Sequence, residues 1–157
     1  MPLRRWGKRV LADLRWQGPK MISRNRIPRT IPGYNGVYLI SSRHSRYRYP
    51  HGQSSLAYVG SGRIEDRLRA HVGSNTDLIE RLDTEGTMWF WYAGVPGGWH
   101  DCIEQGLFDA FVERHGSNPL LNKIRPPCRR NWTEFSLRHQ GISFPHDFSR
   151  LDFPGAE

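Results

Sequence analysis

The run from residue 87 to 95, Thr-Met-Trp-Phe-Trp-Tyr-Ala-Gly-Val, constrains the fold of this 157-residue chain more than any other segment. Aromatic and β-branched side chains crowd it, and Pro96-Gly97-Gly98 breaks it, so it reads as the strongest strand present. Residues 100–115 follow with Ile103, Leu107, Phe108, Phe111 and Val112 at helical spacing, and Gly116 as the C-cap. Upstream, residues 36–41 (Gly-Val-Tyr-Leu-Ile-Ser) and 56–60 (Leu-Ala-Tyr-Val-Gly) are two shorter β-prone runs. Residues 64–72 form a helix with Ile64, Leu68 and Val72 on one face. A second helix over residues 76–82 takes Asn75 as its cap. The order ββααβα predicts an α+β fold, a small antiparallel sheet covered by helices.

The flanks are basic. Residues 2–17 set Trp6, Val10 and Leu14 at i, i+4 and i+8 among Arg4, Arg5, Lys8, Arg9 and Arg15, which predicts a basic amphipathic helix. Such a helix either packs on the domain with a solvated cationic face or clamps a polyanion. Residues 18–35, rich in Pro, Gly and cations, read as an extended connector. Between the two short strands, residues 42–55 form a basic, aromatic-laced insert suited to a hairpin arm or a loop. Beyond Lys123 the chain is mixed, with Pro126-Pro127 and a candidate strand over residues 133–137. The chain thus divides into a basic segment (1–35), a core (36–122) and a C-terminal extension (123–157) expected to pack on it.

Charge narrows the partners. Lys and Arg number 23 against 15 Asp and Glu, a net +8 carried mostly by Arg, the side chain that binds phosphate bidentately. Nucleic acid is the expected partner. Two cysteines, Cys102 and Cys128, are too few for a disulfide framework and read as reduced thiols of an intracellular, cytoplasmic protein. No CxxC or HxxxH spacing offers a zinc site. No apolar run approaches the roughly 20 residues that cross a bilayer, so no membrane partner is expected. Arg4-Arg5 has no apolar segment behind it and is not an export signal.

Hydrolysing a phosphodiester requires a deprotonated nucleophile, cover for charge on the phosphoryl oxygens and help for the leaving oxygen. Tyr38 and Tyr58 occupy the middles of the two short strands, where their phenols either share one sheet face or form an ordinary aromatic pair. Arg67 and His71, four apart, share a helix face at the edge of its apolar stripe, where a guanidinium also snorkels for structural reasons. Glu104 sits within the stripe of Ile103, Leu107, Phe108 and Phe111, and an inward carboxylate needs a cation or a metal. Asp101-x-x-Glu104 has capping-box spacing as well, so Glu104 has a local alternative.

Taken together, Gly36-Val37-Tyr38, Tyr58-Val59-Gly60, Ile64-x-x-Arg67-Leu68-x-x-His71, Glu104 and Asn118-Pro119-Leu120-Leu121-Asn122 resemble, in order, the signature of the GIY-YIG nuclease family. The resemblance covers residues 36–122. It implies a three-stranded antiparallel sheet flanked by helices and a site built from Tyr38, Tyr58, Arg67, His71, Glu104 and Asn122. Tyr58 or Tyr38, with His71, would act on the attacking water; Arg67 would stabilise phosphoryl charge; Glu104 would hold Mg2+ or Mn2+; Asn122 would brace the site. Two departures stand out: residues 39–57 are longer than the common family loop, and the interval from Tyr58 to Arg67 is one residue shorter, with Gly62 at the tightened turn. Arg63 is the alternative arginine, but it precedes the helix and lacks the His71 partner.

The expected activity is a metal-dependent endonuclease acting on DNA phosphodiester bonds, of restriction, repair or mobile-element type, with RNA left open as a substrate. Arg43, Arg46, Tyr47 and Arg48 of the insert, with Arg63, are the expected nucleic-acid contacts. Two alternatives remain: a toxin or secreted effector DNase without sequence preference, and a non-catalytic nucleic-acid-binding module. The intact Tyr, Arg and Glu set argues against the module.

Overall fold

Alternation, not helical periodicity, governs the N-terminal segment. The computed structural model describes residues 8–24, 26–95, 98–128 and 133–140; for 8–12, 133–138 and 140 it describes the backbone. Lys8–Arg15 is strand β1 and Gln17–Ile22 strand β2. This corrects the helix expected over residues 2–17, whose residues 2–7 lie outside the described residues, and the connector expected over 18–35. A spacing of four fits one face of a helix, but it is also a multiple of two and fits one face of a strand. Asp13 and Arg15 are exposed while Leu14 and Trp16 are buried, the period of a strand.

The chain continues through β3 (Asn35–Ser42), the arm strands β4 (Tyr47–Tyr49) and β5 (Gly52–Ser54), and β6 (Leu56–Arg63). Helices α1 (Ile64–Ser74) and α2 (Thr76–Glu85) precede β7 (Met88–Gly94), and α3 (His100–His115) is followed by β8 (Thr133–Gln140). Pro96 and Gly97, read as the breaker after β7, lie outside the described residues. The fold is α+β, and its main sheet has four antiparallel strands in the order β2-β7-β3-β6, one more than expected. The added strand, β2, is the first part of the supposed connector. The rest of that segment caps α1, whose first free N–H groups, on Ile64 and Glu65, donate to the carbonyls of Tyr34 and Pro32. The 42–55 insert is a hairpin arm, β4 with β5. β8 pairs in parallel with β1, Lys8 opposite Thr133 and Arg15 opposite Gln140.

Both faces of the sheet are covered, which is why its central strands β3 and β7 read as unbroken apolar runs. Val37 and Leu39 face one side, where they pack with Ile103, Leu107 and Phe111 of α3 and with Leu14 and Trp16. Tyr38 and Ile40 face the other, against Ile64, Leu68 and Val72 of α1 and Leu78 and Leu82 of α2. Local signals set the helix ends: Asn75 Oδ1 accepts from Leu78 N at 3.1 Å, and Gly116 ends α3 with φ 82°, a left-handed conformation suited to glycine.

Cys102 and Cys128 are joined as a disulfide, which corrects the reading of two reduced thiols. They are 26 residues apart in sequence, but the segment after α3 turns back along it and brings their Cα atoms to 4.4 Å. The bond removes the thiol argument for an intracellular compartment. Among the described residues no helix is long and apolar enough to cross a membrane.

Candidate active site

β6 is an edge strand, and the candidate residues gather around that edge. In the register Tyr38 lies opposite Gly60 and Ile40 opposite Tyr58, so the two tyrosines are diagonal neighbours on one face. Their rings stack with centroids 6.0 Å apart. A Cβ at Gly60 would overlap the Tyr38 phenol, so the glycine lets that ring lie across β6. Tyr38 is fully buried, whereas Tyr58 is half-buried and lines a cleft of about 380 Å3.

α1 supplies the next two groups. His71 is buried, with Nε2 2.6 Å from Tyr38 Oη and its ring edge-on to Tyr58 at 4.8 Å. The stem of Arg67 runs over Gly62, where a Cβ would come within 2.9 Å of its Cγ. Gly62 has φ +127°, a conformation L side chains rarely adopt, so the tightened turn needs glycine twice over. The Arg67 guanidinium interacts with the Tyr38 and Tyr58 phenols, and its pKa is raised, first by Tyr38. Arg63 goes elsewhere: its Nε donates to the Gly33 carbonyl at 2.7 Å and its Nη1 pairs with Asp66 at 3.1 Å.

Glu104 arrives from α3, on the other side of the sheet. It does not close a capping box. The helix starts at His100, two residues too early for Asp101 to be its N-cap, and the Asp101 side chain accepts from the adjacent Cys102 N at 2.8 Å. Glu104 Oε1 instead accepts from the Ser61 hydroxyl, and the carboxylate enters the cleft that Tyr58 lines. Burial raises its pKa, while the Ser61 hydrogen bond and then Arg67 pull it down. Ser61 is the residue the sequence reading missed. Its signal was strand parity past the bulge at the start of β6, where Val59 faces α3 and Ser61, two residues on, faces it too.

Asn122 closes the cleft by mimicking a strand. Its Oδ1 accepts from Val59 N and its Nδ2 donates to Val59 O, both at 2.9 Å, while Leu121 N donates to Ala57 O at 2.8 Å. Removing both side-chain bonds in Asn122→Ala costs about 2 kcal/mol of stability, at roughly 1 kcal/mol for each bond. Urea denaturation measures this, and a loss below about 0.5 kcal/mol would show that the clamp is idle.

The arm divides. Arg46 and Arg48 are exposed. Arg43, expected at the phosphates, turns into the protein: its Nη1 donates to Thr87 Oγ1 at 2.6 Å, and its guanidinium lies 4.6 Å over the Trp89 ring. Tyr47 donates to Glu85, and Tyr49 donates to the Leu56 carbonyl and accepts from Leu120 N. Both tyrosines therefore pack the arm in place.

Tyr38, Tyr58, Arg67 and His71 thus share one face, and Glu104 and Asn122 reach the same edge strand from the other face and from its rim. No family model, no curated protein and no solved structure matches this chain. Its chemistry is read from its own residues.

Burial has a measurable consequence at two imidazoles. His71 is held down to about 4, by desolvation and then by Arg67, and buried His139, which accepts from Trp16 Nε1 at 2.9 Å, is also held near 4 by desolvation. Both rings stay neutral until about pH 4, and an NMR midpoint near the ordinary 6.5 for either would contradict this burial. The unfolded chain binds more protons between those values, so stability is full above about pH 6.5 and falls as pH drops toward 4.

Proposed function

We propose that this chain is a GIY-YIG-type endonuclease that hydrolyses DNA phosphodiester bonds with the help of one divalent cation. The observation that carries the reading is a cleft lined by the Tyr58 phenol and by a half-buried carboxylate, Glu104, from the opposite helix, with the Arg67 guanidinium interacting with Tyr58 and with the buried Tyr38 phenol behind it. Tyr58, which lines the cleft, is the phenol able to meet a water molecule there; Tyr38, fully buried, supports it from behind. Burial and then Glu104 push the Tyr58 pKa up, while Arg67 and a hydrogen bond with Tyr38 pull it down. The phenol is therefore protonated at rest and is drawn toward phenolate by any added positive charge. In the reaction Tyr58 first gives up its own proton to solvent in the cleft and then, as phenolate, takes the proton of the attacking water; Arg67 meets the charge that develops on the phosphoryl oxygens, and Asn122 holds the wall of the cleft.

Of the two carboxylates that line the cleft, Asp77 is paired with Lys123 at 2.9 Å; Glu104, the one beside the phenols, suits a hydrated Mg2+ or Mn2+ whose other ligands are water and substrate phosphate, and not an ion caged by protein alone. Among the described residues no cluster of three His, Cys, Asp or Glu side chains could form such a cage. Glu104 would hold the ion, and its Ser61 partner would keep the carboxylate aimed. When bound, the ion would act as a Lewis acid on the phosphate and offset the Glu104 charge that opposes Tyr58 ionisation.

Digestion of supercoiled plasmid tests the reading. Nicked and linear products are expected in Mg2+ and intact plasmid in EDTA; discrete fragments would mean sequence-specific cutting and a smear an unspecific DNase. An RNA substrate in the same assay sets the substrate range. Retention of DNA without cutting in Mg2+ or Mn2+ would leave a binding module. The exposed arm makes its own prediction: changing Arg46 and Arg48 to Ser lowers the slope of log affinity against log salt by about 0.9 for each phosphate left without its arginine. An unchanged slope removes the arm from the interface.

A further inference from the structure

Asn75 has a second partner besides the start of α2. Its Oδ1 accepts from the backbone N–H of Leu78 at 3.1 Å, and its Nδ2 lies 2.9 Å from Nδ1 of His71. A backbone N–H can only donate, so the atom facing Leu78 must be the amide oxygen, and the atom facing His71 must be the amide nitrogen. An amide nitrogen in turn only donates, so His71 Nδ1 must accept. A neutral imidazole with Nδ1 accepting carries its proton on Nε2. That nitrogen is the one 2.6 Å from Tyr38 Oη, so Tyr38 receives this hydrogen bond and its own proton is released to point elsewhere. The nearby phenol is Tyr58, whose ring stacks on that of Tyr38 with centroids 6.0 Å apart, and it is the group toward which the freed Tyr38 proton can turn.

We propose that Asn75 is a positioning residue: by capping α2 with its oxygen it presents its nitrogen to His71, fixes the Nε2–H tautomer, and so orders one directed chain from Leu78 N through Asn75, His71 and Tyr38 to Tyr58. The tautomer stands on geometry alone. Only its consequence for turnover rests on the nuclease reading. Reversing any link would reverse the chain. With the proton on Nδ1, His71 Nε2 would accept from Tyr38, and Tyr38 would no longer donate to Tyr58. Tyr58 would lose a hydrogen bond that favours its ionised form. Nothing near Asn75 in sequence reveals this, because its N-cap role alone accounts for an Asn at that position.

Asn75→Asp separates the two roles. Aspartate caps as well as asparagine, so the fold should survive, but a carboxylate can only accept and would pull the proton onto Nδ1. Long-range 1H–15N NMR of the full chain with 15N-labelled histidine, at neutral pH and without metal, reads the tautomer directly. We expect Nε2 protonated and Nδ1 bare in the wild type, and Nδ1 protonated in Asn75→Asp. A wild-type Nδ1–H, which needs no variant to observe, overturns the proposal, as does an unchanged ring in the variant. In Asn75→Asp kcat on plasmid should fall roughly 10- to 100-fold with thermal stability kept; Asn75 lines the cleft, so its new carboxylate also weakens DNA binding, and kcat at saturating DNA is the readout of the tautomer. Should the wild type cut and the variant cut equally fast, the positioning role is lost and the nuclease reading stands. Should the tautomer shift as expected while the wild type never cuts, the nuclease reading falls and the hydrogen-bond chain stands.

Discussion

On the proposed nuclease reading, Glu104→Gln is expected to abolish cleavage, by more than roughly 10³-fold at any practical Mg2+ or Mn2+ concentration, while leaving the protein folded and able to bind DNA. Glu104 is the carboxylate of the cleft that reaches the phenols and Arg67 electrostatically, whereas Asp77, the other one, is held by Lys123, so the charge beside the phenols that would hold a divalent ion goes with Glu104. Glutamine is nearly isosteric, and its carbonyl can still accept from the Ser61 hydroxyl. The change also relieves a desolvated charge, whose burial raises the Glu104 pKa, so the melting temperature holds or rises slightly. Loss of a negative charge beside the phosphates should tighten DNA binding. Plasmid turnover, thermal melting and gel-shift affinity check the three parts together. A folded Glu104→Gln protein that cuts at near wild-type rate in Mg2+ would overturn the catalytic assignment and most of the mechanism.

Arg67→Ala is expected to lower turnover by roughly 10² to 10³ with little change in DNA affinity, because in the proposed mechanism its guanidinium acts on charge that develops in the transition state. Single-turnover kinetics set beside equilibrium binding separate the two effects. Lysine should restore only part of the rate, since a point charge replaces a planar fork of donors. Arg63→Ala is the control: its ion pair with Asp66 is exposed on both sides and worth at most about 1 kcal/mol, so the variant should fold and, at saturating DNA, keep its cleavage rate even where a phosphate contact is lost. Normal cutting by Arg67→Ala together with a dead Arg63→Ala would exchange the two roles.

Where these residues stand was legible to very different degrees. Residues 100–115 were readable as a helix because the apolar stripe and the Gly116 cap agree locally, and α3 spans those residues. Strand β7 was readable because a doubly covered strand needs no alternation, only a short apolar run ended by a breaker. β1 was misread for a reason that is general: a four-residue spacing satisfies both periods, and only Asp13 and Trp16 broke the tie. Charge alone does not say which way the Arg43 guanidinium turns; Trp89 and Thr87, more than forty residues away, hold it against the protein.

Local sequence specified most of the elements around the site and the residue types they carry: two strand tyrosines, an arginine and a histidine one helical turn apart, and a glutamate within an apolar stripe. These follow from periods of two and 3.6 and from caps, which act over a few residues. Long-range packing alone settled that β6 is an edge, that Glu104 meets Ser61 around it, that Asn122 clamps Val59, and that Cys102 bonds Cys128. Such pairings join atoms 26 to 63 residues apart in sequence. Chain reversal and burial select them, and no local preference encodes a partner at that distance.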